Sequence, residues 1–242
     1  MDFRKISNIS VECVVFGLDQ NGINILLSKR SLKMYDDKYP VIDDWVLTGD
    51  HVLKSERLDK SAERIFYGLT GLKDAYKKQF RTFGNPERIK NEKDVLWLKS
   101  RGVYPRVMSV AYYFLLPAFR VKLCNENTRW FSLDNLPKLG FDHSEIISKA
   151  FNDLQNRVVV EPLIFEFLDD KFTLNELQIA YQYVFDVEID NRNFRKKAIN
   201  KTYIVPLDEK RLGHGSKKPA NLYMFSKDIY EKTRDKSQII NI

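Results

Sequence analysis

With 242 residues, 43% hydrophobic and 13% aromatic, the chain is long enough for one large or two modest domains and apolar enough to bury a core, which excludes a wholly disordered protein. Its formal charge is +7, from 40 Lys/Arg against 33 Asp/Glu. No apolar run approaches the roughly 18 residues of a membrane span, and the opening MDFRKISNIS lacks a signal-peptide core, so a cytoplasmic location with no membrane partner is expected. Cys13 and Cys124 stand alone, too few for a disulfide framework or a cysteine-type zinc site, and read as buried reduced thiols.

Residues 10–16 (SVECVVF) read as a strand, followed by a tight turn at Asn21-Gly22 and a return strand over 23–28, with Ile23, Ile25 and Leu27 alternating on one face. Residues 45–49 form a short strand ending at Gly49. Leu58, Ala62, Ile65, Phe66 and Leu69 then recur at helical spacing, and Gly71 is placed to stop that helix. Strands are expected over 78–83, 107–116 (VMSVAYYFLL) and 130–133, while 85–105 reads as a long charged loop. A helix over 142–155 carries Ile146, Ile147, Ala150 and Leu154 inward. This order of strands and two helices predicts an α+β or α-β-α domain over residues 1–157 with a mixed sheet, then an apolar connector over 158–170.

A second unit is expected over 171–242. Thr173 and Glu176 have capping-box spacing, and Phe172 and Leu177 that of a hydrophobic staple, so a helix starts there and buries Leu174, Leu177, Tyr181 and Val184. A turn leads to a second helix capped by Asp190, with Phe194 and Ala198 inward. Strands over 202–207 and 222–225 flank a basic loop. A helix-turn-helix followed by a basic hairpin is the layout of a winged helix-turn-helix.

The charge sits in this unit. Residues 191–218 hold nine Lys/Arg against two acids, so this stretch carries the whole net charge of the chain. Arg192, Arg195 and Lys196 fall in the first two turns of the second helix, where the macrodipole disfavours cations. Asn191 and Asn193 stand among them, a residue type suited to bidentate contact with adenine. In a helix-turn-helix this end of the second helix enters the major groove. Asn191, Arg192, Asn193, Arg195 and Lys196, with Lys201, are therefore candidate contacts to double-stranded DNA. His214, Lys217 and Lys218 in the loop are candidate phosphate or minor-groove contacts. The alternative for each is an ordinary solvated basic surface. Single-stranded nucleic acid is less favoured, since aromatics are not interleaved with the charges.

Residues 49–72 (GDHVLKSERLDKSAERIFYGLTGL) resemble the Nudix box, G-x5-E-x7-R-E-U-x-E-E-x-G-U with U apolar. With Glu56 as the first glutamate, Arg64, Phe66, Gly71 and Leu72 fall on consensus positions. Asp50 stands in place of the glycine, and Ile65, Gly68 and Leu69 stand in place of three glutamates. Hard divalent cations need oxygen ligands, which those three side chains do not offer. Glu56 and Glu63 remain, and read as surface acids.

A Nudix-like domain followed by a winged helix is similar to the Nudix-related transcriptional regulators, and the resemblance runs over most of the chain. It is most specific at 172–181 (FTLNELQIAY) and 191–198 (NRNFRKKA). It implies a homodimer on a pseudo-palindromic operator, with the Nudix-like domain sensing a small metabolite, an ADP-ribose-type nucleotide or a sugar, and not hydrolysing it. Loss of the metal-dependent phosphate site favours an uncharged sugar, and no cofactor or metal is expected. Residues 85–105 look like an insertion relative to the family. Candidate effector contacts are Arg30, Trp45, His51, Tyr104 and Arg106, with Trp45 as a core aromatic and Arg30 and Arg106 as solvated strand ends as the competing readings. His143 reads as a polar neighbour of a helix cap. The rival from another class is a Nudix-type pyrophosphohydrolase whose basic C-terminal domain binds nucleic acid.

Overall fold

The computed structural model describes residues 5–36, 38–123, 126–212, 218–233 and 240. It divides into two compact units, residues 1–19 with 23–153, and 20–22 with 154–242.

The first unit is built around strand β1 (Lys5–Asp19). A two-residue turn leads to β2 (Gly22–Leu32), and Gly22 enters it at φ +135°, a conformation glycine adopts without steric cost. β1 also pairs in parallel with β6 (Met108–Pro117) and antiparallel with β4 (Thr48–Leu53). β3 (Ile42–Val46) and β7 (Thr128–Ser132) pair with successive parts of β2, and β5 (Tyr76–Phe83) closes the far edge against β6. Ile23 through Leu27 are all buried, so β2 is covered on both faces and not on one alone.

Helix α1 (Leu58–Thr70) covers one face of this mixed sheet and ends at Gly71, which takes the left-handed conformation at φ 72°. Ala62, Ile65 and Phe66 meet Val11, Cys13 and Val15 of β1, and Phe66 stacks on Phe114 at 4.2 Å between centroids. Helix α3 (His143–Val158) lies on the other face, with Phe151 6.0 Å from Phe16 and Asp153 accepting from the Tyr113 hydroxyl at 3.1 Å. The result is an α-β-α layering. Cys13 is a buried thiol, and Cys124 lies outside the described residues.

One expectation fails here. Residues 85–105 are not a continuous loop, because they contain helix α2 (Glu92–Ser100), N-capped by Asn91, whose side chain accepts from Lys93 N at 2.9 Å. Asp94 is the buried residue of this helix, so no apolar stripe announced it.

The second unit opens inside the stretch read as a connector. A 3-10 turn over Leu163–Phe167 buries Leu163, Ile164, Phe165 and Phe167, and Phe165 stacks on Phe225 at 4.3 Å. Helix α4 (Leu174–Phe185) carries the full capping box, Thr173 Oγ1 accepting from Glu176 N at 3.2 Å and Glu176 accepting from Thr173 N at 2.7 Å. Phe172 and Leu177 are both buried beside it, as a staple requires. Asp186 ends the helix in the left-handed region at φ 51°, and Gln178 Nε2 donates to Ile189 O at 2.9 Å across the turn. Helix α5 (Asn191–Ile199) follows, then the hairpin of β8 (Ile204–Leu212) and β9 (Pro219–Phe225) and a short helix α6 (Lys227–Thr233). This is a winged helix-turn-helix. Among the described residues no helix is long and apolar enough to cross a membrane.

The reciprocal cap makes a direct prediction. Thr173→Ala removes one acceptor and leaves Glu176 N without it, so denaturant unfolding of the second unit should show a loss of about 1 kcal/mol, with Thr173→Ser restoring most of it.

Candidate effector cleft and nucleic-acid interface

A cleft of about 940 Å³ opens in the first unit. Its position follows from strand alternation. On the face of β1 and β6 away from α1, Val14, Phe16 and Tyr113 are buried toward α3, while Ser10, Glu12 and Ser109 line the cleft. β2 brings Lys29 and Arg30, β4 brings Thr48 to His51, and α2 supplies Trp97 and Leu98.

The floor is a buried polar cluster. Glu12 Oε1 accepts from Ser10 Oγ at 3.0 Å and from Ser109 Oγ at 3.2 Å. Burial pushes this carboxyl up to about 7, against the opposing pull of Arg88 and the two hydroxyls. Gly49 is packed against it so closely that any Cβ there would collide with the carboxylate. His143 Nδ1 accepts from Leu47 N at 2.8 Å, which places the imidazole proton on Nε2, 3.8 Å from Glu12 Oε2. Burial pushes this imidazole down to about 3, so it stays neutral. His143 is thus part of the cleft floor and not merely a cap neighbour.

The walls are cationic. Lys29, Arg30, Lys54, Arg88 and Arg101 line the cleft against Glu12 and Asp50. Three of the five are matched by acids behind them. Arg88 forks onto Asp142 at 2.7 and 2.8 Å, Lys29 meets Asp43 at 3.0 Å, and Arg30 is held by Asp44 and Asp94. Lys54 and Arg101 make no ion pair among the described residues. Two cations, Lys54 and Arg101, are therefore open to an anionic group that enters the cleft.

Of the five expected effector contacts, the structure brings Arg30 and His51 to the cleft. Arg30 is no solvated strand end, being 2% exposed and seated over Phe141 at 4.5 Å. His51 Nδ1 lies 3.3 Å from the Ile9 carbonyl. Trp45 falls on the opposite side of β3 from the cleft-lining Val46 and packs edge-on against Phe131 at 4.8 Å, half-buried, so it is neither a cleft contact nor a core aromatic. Tyr104 is 73% exposed, and Arg106 sends Nη2 to Gly84 O at 3.1 Å; neither lines the cleft. Glu12, Arg88, Trp97 and Arg101 were missed. Glu12 alone left a signal, an acid in the middle of the otherwise apolar VECVVF.

The Nudix-box remnant has a structural use. Arg64 donates to both oxygens of Glu56 at 2.8 and 3.0 Å, to Asp50 at 2.9 Å and to His51 O at 3.1 Å, clamping the loop to α1. Glu56 also accepts from Ser61 at 2.6 Å, and the Arg64 guanidinium holds it below the usual carboxylate range. It is not a simple surface acid. With its oxygens engaged, and with Ile65, Gly68 and Leu69 beside it on α1, this donor set does not fit a divalent cation. Among the described residues no three His, Cys, Asp or Glu side chains converge on one point.

In the second unit, α5 is oriented by Phe194 and Ala198, both buried, and its first turn is capped by Asp190, which accepts from Asn193 N at 2.8 Å. Asn191, Arg192, Asn193, Arg195 and Lys196 are consequently exposed. Arg192, Arg195 and Lys196 make no ion pair among the described residues. Lys201 is half-buried behind the helix and Lys218 is exposed at the start of β9, while His214 and Lys217 lie outside the described residues. One member of the basic stretch is withdrawn from it. Arg211 on β8 donates to both oxygens of Glu176 at 2.6 and 2.8 Å, tying the hairpin to the capping box.

Residues 164–225 match the NrtR DNA-binding winged helix domain. In fold, the chain is similar to Shewanella oneidensis NrtR complexed with a 27mer DNA, at 24% identity and a TM-score of 0.72 over 92% of this chain and 95% of that one. The two chains share a fold over nearly their whole length. A MutT/nudix family protein from Enterococcus faecalis shares the fold at 22% identity and a TM-score of 0.67, covering 92% of this chain and 89% of that one. In sequence, the chain is 28% identical to the ADPR responsive transcriptional repressor NtrR of Acinetobacter baylyi over 92% of this chain and 84% of that protein.

The buried acid gives a pH test. Folding raises the Glu12 carboxyl from 4.5 to about 7, so its contribution is fully present below pH 4.5 and is lost as pH rises through 7. Glu12→Gln should therefore melt above wild type at pH 8, by on the order of 2–3 kcal/mol, with the difference vanishing near pH 4.5. His143 acts in the opposite sense, its neutral state favouring folding as pH rises from about 3 to 6.5, and is common to both proteins.

Proposed function

We propose that this chain is a transcriptional repressor that binds operator DNA through α5 and the hairpin and senses ADP-ribose or a closely related nucleotide in its Nudix-like domain, without hydrolysing it. The observation that carries the DNA half is the exposed face of α5, where Arg192, Arg195 and Lys196 make no ion pair among the described residues, within a domain of the NrtR DNA-binding type. Unpaired cations gathered on one exposed helix face are a good arrangement for a polyanion.

The effector half rests on charge. The expectation of an uncharged sugar is replaced, because a neutral ligand would leave Lys54 and Arg101 in the cleft without counter-charge. A diphosphate supplies it. The ADPR responsive repressor among the relatives points the same way. The unsuitable donor set around Glu56 supports a site that binds a pyrophosphate and leaves it intact.

A homodimer would place two α5 helices on successive major grooves, about one helical turn apart on a pseudo-palindromic operator. Effector binding would act by changing their spacing, and linkage requires that DNA alter ADP-ribose affinity by the same factor as ADP-ribose alters DNA affinity.

Fluorescence anisotropy with a labelled duplex from the region upstream of the gene tests both halves. ADP-ribose should change the affinity, and Arg195→Ala should cost about 1–3 kcal/mol with relaxed preference at one base pair. Lys196→Ala should weaken all duplexes alike and lower the salt slope by about one if it meets a phosphate. Release of AMP over many turnovers from ADP-ribose and Mg²⁺ would replace this reading with a hydrolase.

A further inference from the structure

Helix α2 is attached to the domain in an unusual way. Asp94, Trp97, Leu98 and Arg101 are spaced i, i+3, i+4 and i+7, so they share one face. Asp94 is the buried member, and it is held by charge and hydrogen bonding: Oδ1 accepts from Arg30 Nη2 at 2.5 Å and Oδ2 from Phe141 N at 3.1 Å. The other three line the cleft. Trp97 and Leu98 are only half-buried, so the apolar part of this face packs on no core and borders the open cleft instead.

The Trp97 ring already has cationic company. The Arg101 guanidinium lies 4.1 Å from its centroid and Arg30 lies 5.7 Å away. Arg30 is pinned by Asp44 and Asp94, whereas Arg101 is exposed and makes no ion pair among the described residues. Arg101 is set at the helix end by Gly102, in the left-handed region at φ 69°, and by Val103 N donating to Leu98 O at 2.9 Å. An aromatic ring covered by an exposed cation with no ion pair is a surface on which a second flat ring can stack once the cation moves aside.

We infer that this face of α2 is the specificity element of the cleft, with the Trp97 indole stacking on the aromatic base of a nucleoside diphosphate ligand and Arg101 moving from the indole to a phosphate. The inference rests on the nucleotide-sensing reading and adds to it the recognition of a base by α2. The cationic walls alone would accept a sugar phosphate as readily as a nucleotide; the indole distinguishes them.

The test compares ADP-ribose with ribose 5-phosphate, which has the sugar and a phosphate but no base, by calorimetry on the full chain. Trp97→Ala should weaken ADP-ribose roughly tenfold or more, the effect of losing one stacked base, and leave ribose 5-phosphate within about twofold. Trp97→Phe should retain most of the ADP-ribose affinity. Wild type should show a ligand-induced change in intrinsic fluorescence, and Trp97→Phe should abolish it with Trp45 and Trp130 still present. Arg101→Ala should weaken both ligands. Equal ADP-ribose affinity in wild type and folded Trp97→Ala would overturn the inference and leave the sensing reading intact, as would equal losses for the two ligands. Failure of wild type to bind ADP-ribose would remove both. Should Trp97→Ala not fold, the fluorescence of Trp97→Phe decides, an unchanged ligand response overturning the inference.

Discussion

Strand β1 constrains everything else in the first unit. It meets β2 through a tight turn, runs parallel to β6 and takes β4 on its N-terminal half, so it sits where a register slip would reverse every side chain. Its odd positions, Val11, Cys13 and Val15, seal the α1 core. Its even positions change character along the strand, from Ser10 and Glu12 to Val14 and Phe16, and β6 repeats the change from Ser109 to Tyr113. One sheet face is therefore polar at one end and apolar at the other. The apolar end takes α3 and the polar end becomes the cleft floor.

That floor explains why the remnant of a hydrolase motif remains ordered. In this chain the Arg64 guanidinium satisfies Glu56, Asp50 and a backbone carbonyl at once, fixing strand β4, on which Gly49 pairs with Glu12. A charge-assisted cluster of this kind is geometrically specific even where its net contribution to stability is modest. The motif positions the cleft wall. The acids that would have faced a cation are replaced by side chains with no oxygen to offer.

Much of the fold was legible in the residues. The capping box at Thr173, the stop at Gly71 and the VMSVAYY strand each carry a local signal whose physics does not depend on distant contacts. The cleft was harder to read, for two physical reasons. Helix α2 buries a carboxylate where pattern reading looks for an apolar stripe, so Asp94, Trp97 and Arg101 were hidden inside an apparent loop. Adjacent strand residues also point to opposite faces, and a one-residue choice between Trp45 and Val46 decided which of them met the cleft. Arg30 lines the cleft, and its burial depends on Asp94, which is distant in sequence and could not be paired with it from the pattern.

The second unit shows how a fold can hold an arrangement that local energetics opposes. Arg192 in the first turn of α5 opposes the helix dipole, and the exposed cations of this face repel one another, although Lys196 and Lys197 lie in the last turn, where the dipole favours them. The unit offsets this with an N-cap from Asp190, with Phe194 packed edge-on to Tyr181 at 5.8 Å, and with Arg211 braced on Glu176 so that the hairpin closes over α4. The Phe194 and Arg211 braces lie away from the exposed basic face, while Asp190 caps the end from which that face begins. Neutralising that face with acids on α5 would have been simpler and would have stabilised the isolated protein more. Its absence is understandable if the compensating charge comes from outside, since phosphates near Arg192, Arg195 and Lys196 would relieve the repulsion and be bound by it. The strain in the free domain is then part of the free energy of binding DNA.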